Sequence, residues 1–240
     1  GEAVMMSATV LWLLRLAGPE HQGRSLGHIG LANYAGLTIG PLILELIGPE
    51  HTGRLWLVAS VLPLLGAVAA LAVHDAPRPA ERHEPAPVLE MVRRTGRPGF
   101  GLLLVNVGYV AVLSFGALAV AEHGIDVGAL IVPVFGAGVI VSRLALGSLP
   151  DRLGARPVLA ASALVEGAGL IVFAISGAES LSIGALVVLS VGQGLAVPSL
   201  GVLAVSGVPE RQRGAASGAF FAWFDAGVGL GGPAVGLVAR

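Results

Sequence analysis

The chain has 240 residues, 55% of them hydrophobic and only 12% charged, with a mean hydropathy of +0.84 and a formal net charge of −1. An average soluble domain carries about 25% charged residues, so this composition argues against water as the solvent. Cysteine is absent, which removes disulfide frameworks and thiolate metal sites.

Eight apolar segments follow one another at 1–17, 24–47, 54–73, 100–121, 128–149, 157–176, 181–205 and 214–237. The full-length ones reach roughly 30–37 Å as helices at ~1.5 Å per residue, enough to cross a bilayer. The pattern predicts an all-α, polytopic transmembrane bundle. The first segment holds Glu2 and Arg15 and reads as cut short, and no cleavable signal peptide is expected at Gly1. Residues 75–99 carry Pro77, Pro79, Pro85, Pro87 and Pro98 among Arg and Glu. They read as a solvated cytoplasmic linker between a first bundle, 1–74, and a second, 100–240.

All fourteen basic residues are arginine. Taken over alternate loops, Arg15, Arg24, Arg78, Arg82, Arg93, Arg94, Arg97, Arg152, Arg156, Arg211 and Arg213 fall on one side, and only Arg54 and Arg240 on the other. The positive-inside rule puts the first set in the cytoplasm. Both ends of the chain then face outward, which suggests an odd number of helices missing from each end. Arg143 lies inside a span, close enough to its cytoplasmic end to snorkel, and reads as a structural group paired near the adjoining hairpin.

That hairpin, Gly147-Ser148-Leu149-Pro150-Asp151-Arg152-Leu153-Gly154-Ala155-Arg156-Pro157, joins two long apolar runs. Its spacing of Gly147, Asp151, Arg152, Gly154 and Arg156 resembles the loop signature called motif A in the major facilitator superfamily. Pro150 and Pro157 are departures. The resemblance extends over the whole chain and implies two pseudo-symmetric bundles that rock about a midplane cavity. The segments would then correspond to helices four to eleven of twelve, which agrees with the parity of the arginine count. By the same resemblance, Asp151 would gate the inner face against the N-terminus of the helix opened by Gly23, where the helix dipole favours negative charge. Glu20, Glu210, Arg211 and Arg213 would complete the charge network; the alternative is a set of solvated loop charges.

An internal repeat points the same way. Pro19-Glu20 and Pro209-Glu210 open two segments, and Gly27, Gly36 and Gly40 recur as Gly218, Gly227 and Gly231 at a constant offset of 191. The ladder Gly27, Gly36, Gly40, Pro41 is similar to motif C of proton-exchanging exporters in the same superfamily, although Leu44 and Glu45 stand where two further glycines are usual. Small-residue packing between helices is the plainer reading of these positions.

Two carboxylates fall near the centres of spans, Asp225 and Glu166. Each costs on the order of 2.5–3.5 kcal/mol to insert ionised, so each needs a partner, a proton or a watery cavity. Asp225 sits among Phe220, Phe221, Trp223 and Phe224, in a stretch that resembles the eleventh helix of bacterial efflux permeases. It is a candidate for proton or substrate contact, or for hydrogen bonding to a neighbouring helix. Glu166 reads mainly as a packing group or neutral acid, because its helix lies at the periphery in the family. Asn106, Tyr109 and Gln193, with Asn33 and Tyr34 behind them, are the remaining polar groups expected to line a cavity or to hold helices together.

There is no H-E-x-x-H, no P-loop and no G-x-S-x-G, and no two histidines form a ligand pair on one helix face. Neither an enzyme, a metal nor a cofactor is expected, and no basic, aromatic-interleaved patch suits nucleic acid. What the resemblance implies is a secondary transporter of the bacterial inner membrane, a monomer, whose partners are a small molecule, protons and lipid. Proton-coupled efflux is the first reading. Uptake of a sugar or other metabolite is the rival, and a truncated, non-transporting membrane protein is the third.

Overall fold

The computed structural model describes residues 22–48, 50–72, 88–209 and 212–238, with the side chains of 22–29 and 88 excluded. Every regular element among them is helical. In chain order these are α1 Gln22–Ile47, α2 Thr52–Leu71, α3 Val88–Arg94, α4 Gly96–Glu122, α5 Ile131–Leu146, α6 Leu149–Leu153, α7 Ala155–Ala174, α8 Glu179–Val205 and α9 Arg213–Val238. Seven of them, all but α3 and α6, are long and apolar enough to cross a membrane, α5 when taken with the 3-10 turn Gly128–Leu130 that leads into it. These seven match the segments from 24 to 237; the segment 1–17 lies outside the described residues.

The bundle is built around α8. It packs antiparallel to α7, parallel to α5 and antiparallel to α4, and buries Leu186, Leu189, Gln193, Ala196 and Leu200. The α7–α8 seam is closed by glycine. A Cβ on Gly192 would stand 2.6 Å from the backbone nitrogen of Glu166, and one on Gly169 would stand 2.6 Å from that of Leu189. Only hydrogen fits there, and the two backbones touch without intervening side chains, the way helices associate where lipid is as apolar as leucine. α9 lies parallel to α4 through Gly227 and Gly231, which face Leu103, Asn106, Val107 and Val110.

α1 packs on α5, where Gly136 accepts the Thr38 side chain and the Tyr34 backbone. Among the described residues nothing comes within 4 Å of a Cβ placed at Gly36 or Gly40, so the close seam of α1 runs through Gly30, Tyr34 and Thr38 rather than along the ladder. α2 buries none of its residues and exposes Trp56, Leu57, Leu64, Leu65 and Val68, a surface suited to hydrocarbon. The end of the stretch read as a linker is folded: α3 sets Met91 into a small core with Val208, Ala216 and Ala219.

Candidate functional site

Buried serines first show what the site is not. Ser142, Ser162, Ser190 and Ser199 each donate to a carbonyl three or four residues earlier on their own helix. Such back-bonding satisfies a hydroxyl in an apolar interior without any partner helix. Longer polar side chains cannot do this, and a cluster of them lies where α1, α4, α5, α7 and α8 converge.

Tyr34 of α1 is buried, with its ring 6.4 Å from Tyr109, tilted edge-on, and 6.4 Å from Phe135. Tyr109 continues the aromatic chain to Phe135 at 5.9 Å and to Phe224 at 6.2 Å. The Arg143 guanidinium stands over the other side of this cluster, its Cζ 4.8 Å from the Tyr34 ring centre, inside the ~6 Å reach of a cation–π contact. Its Nε donates to the Gly194 carbonyl at 3.3 Å, and its tip occupies the space left by the missing side chain of Gly30. Arg143 therefore turns inward across the α1–α5–α8 junction, and the expected snorkel toward the hairpin is not what forms. Gly30 explains the difference by removing a Cβ from the path of the side chain, and the Gly194 carbonyl gives Nε an acceptor.

Gln193 is fully buried beside the Tyr34 hydroxyl, yet neither atom of its amide makes a hydrogen bond of good geometry. Asn106 is equally buried; its Nδ2 donates to the Phe224 carbonyl at 3.4 Å and its Oδ1 has no partner. Glu166 is buried between α4 and α8, with Oε2 unpartnered and Oε1 lying 3.1 Å from where a Cβ on Gly108 would stand. The charged groups on the helices around it, Arg97, Glu122, Arg156 and Glu179, sit at helix ends. Arg143 and Glu166 are both near enough to Tyr34 to act on its hydroxyl electrostatically. Buried polar atoms are nearly always hydrogen-bonded, so this concentration of unfilled capacity makes the junction the candidate site.

The other sequence candidates lie elsewhere. Asp225 is in the middle of α9 but exposed, on the face turned away from Gly227 and α4. Trp223 lays its indole on Gly99 of α4, with Nε1 buried and unpartnered. In the hairpin, Gly147 caps α5, Asp151 and Arg152 are exposed on α6, Gly154 turns the chain at φ 89°, and Arg156 is exposed at the start of α7. Asp151 takes part in neither of the ion pairs His51–Glu50 and Arg94–Glu90. The side chains of the α1 N-terminus, its expected partner, lie outside the described residues, as do Glu20, Glu210 and Arg211. Gly27 falls within α1 in the same excluded stretch, while Pro41 is accommodated inside that helix.

The model of the Major Facilitator Superfamily matches residues 1–232. The chain belongs to that superfamily. An uncharacterized MFS-type transporter of Salmonella typhimurium is 35% identical over 99% of this chain and 61% of its own length. Uncharacterized MFS-type transporters of Burkholderia mallei and Burkholderia pseudomallei are 30% identical over the whole chain and 58% of theirs. The chain thus spans about three fifths of the curated relatives it matches. No solved structure matches it. Membership in the superfamily makes this a multi-pass membrane protein of a transporter family, one whose members are generally not enzymes.

Proposed function

We propose that the chain forms part of a proton-coupled secondary transporter of the bacterial inner membrane, which exports small molecules by alternating access between its two bundles. One observation carries the coupling: Glu166 is a buried carboxyl in the middle of a span, with an unpartnered oxygen and, among the described residues, no ion pair to a basic side chain. Ionising such a group without a counter-charge is costly, so its charge state follows its exposure to water. A carboxyl that takes a proton when enclosed and releases it when the bundle opens is the element that a proton-driven cycle requires. Asp225, exposed on α9, stands outside that enclosure and is assigned no coupling role here.

Export rests on the ladder of Gly27, Gly36, Gly40 and Pro41 and its likeness to the exporters' motif. Uptake of a sugar or other metabolite by the same fold is the rival reading. Asp151 serves as the cytoplasmic gate of the hairpin, engaging the first turn of α1 in one state of the cycle. Reconstituting the protein and following internal pH while substrate is added on one side distinguishes the two directions. Substrate leaving as protons enter supports export, and substrate and protons moving together supports uptake. Substrate flux that is independent of any pH gradient and unchanged in Glu166→Gln removes the coupling role.

A further inference from the structure

Arg143 is a cation inside a span whose described contacts are a ring face and one backbone carbonyl. Neither neutralises it. No described carboxylate makes an ion pair with it, and Glu166, the nearest one buried in the same junction, does not reach it. A guanidinium presents five N–H donors in a planar fork that matches a carboxylate in bidentate fashion. Among the described residues Arg143 donates through Nε alone, its Nη1 lies against Gly30 of α1, and the side chain is half-buried rather than sealed. Beside it, the Gln193 amide offers unused donors and an unused acceptor from a fully buried position, and the Tyr34 hydroxyl stands next to that amide.

We infer that Arg143, Gln193 and Tyr34 form the binding site for an organic anion, so that the cargo is a carboxylate-bearing small molecule rather than a cationic drug. This deepens the transport reading and rests on it for the word cargo, but binding itself requires neither transport nor coupling. The anion supplies the missing counter-charge to Arg143, taking the free edge of the fork, while Gln193 donates its amide hydrogens to the second oxygen or to a neighbouring acceptor. Tyr34 holds the guanidinium plane in place through its ring and presents its hydroxyl to the ligand. The site straddles α1 on one side and α5 and α8 on the other, so an anion held there ties the two sides together.

The test is binding to the purified protein in detergent at fixed pH, read as thermal stabilisation and as a Kd. The probes are benzoate and succinate, set against benzamide and succinamide, which keep the shape and lose the charge. The expected result is stabilisation by the carboxylates alone, with binding weakened at least ~10-fold in Arg143→Gln, as for loss of a charge-assisted pair. Arg143→Lys keeps the charge without the fork and is expected to recover part of the affinity. Gln193→Glu places a carboxylate beside Arg143 from within; it should remain folded and lose the response to benzoate and succinate. No stabilisation by either anion, equal stabilisation by the amides, or an undiminished response in a folded Arg143→Gln or Gln193→Glu protein would overturn the assignment. Loss of proton coupling with anion binding intact would instead count against the transport mechanism and leave this site standing.

Discussion

Arg143 and Glu166 sit in the same helix junction under opposite local conditions, and the contrast organises the chemistry at the residue scale. Arg143 has a π-face and a carbonyl to lean on, while Glu166 has an oxygen with no partner. Replacing Tyr34 by Phe keeps the ring beneath the guanidinium, whereas Tyr34→Leu removes it. The Leu variant should lose about 0.5–2 kcal/mol of stability relative to Phe, the range of a cation–π contact, measured as a difference in unfolding free energy in detergent. From the sequence, both spans and both charges were readable, but not which way the side chains point. Distance along a helix suggested that Arg143 would reach the surface; the gap at Gly30 and the Gly194 carbonyl draw it inward, and both depend on tertiary neighbours. Glu166 ranked below Asp225 because the family resemblance puts its helix at the periphery, whereas Asp225 lies in an aromatic cluster of an efflux-permease-like stretch. Burial is a property of the direction around the helix, and there the order reverses: Glu166 is buried and Asp225 is exposed.

At the scale of elements, hydropathy located the seven described spans to within a few residues, because a bilayer demands length and apolarity whatever the packing. It did not disclose α3, which proline-rich surroundings conceal, nor the helical turn α6 inside the hairpin. It also did not distinguish the glycines that carry contacts from those that do not. Gly192 and Gly229 look alike in sequence, yet a Cβ at Gly192 meets the backbone of Glu166 and one at Gly229 meets nothing within 4 Å. Gly192→Ala is therefore expected to destabilise the bundle by about 1–3 kcal/mol through overpacking, and Gly229→Ala to leave it nearly unchanged. Unfolding in detergent, followed by helical circular dichroism, separates the two. Gly154 enters α7 at φ 89°, a conformation that costs an L-residue about 1–2 kcal/mol, so Gly154→Ala should weaken the hairpin by that amount in the same measurement.

For the whole molecule, the arginine distribution predicts an orientation that is open to direct reading, since the sequence contains no cysteine. A single cysteine at Arg152 is expected to react with an impermeant maleimide only from the cytoplasmic side, and one at Asp126 only from the opposite side; labelling of both from one side would refute the topology. The proposed transport cycle needs the same two-sidedness: α1 would move against α5 and α8, and the polar junction between them would be wetted from one face and then the other. In the proposed cycle Glu166 carries the proton. The most direct measurement of that role is proton movement in proteoliposomes, comparing the wild-type protein with Glu166→Gln and Asp225→Asn under an imposed pH gradient. If Glu166 carries the proton, substrate-evoked proton flux is lost in Glu166→Gln and retained in Asp225→Asn. Retention in Glu166→Gln with loss in Asp225→Asn would contradict that role and move the coupling to α9.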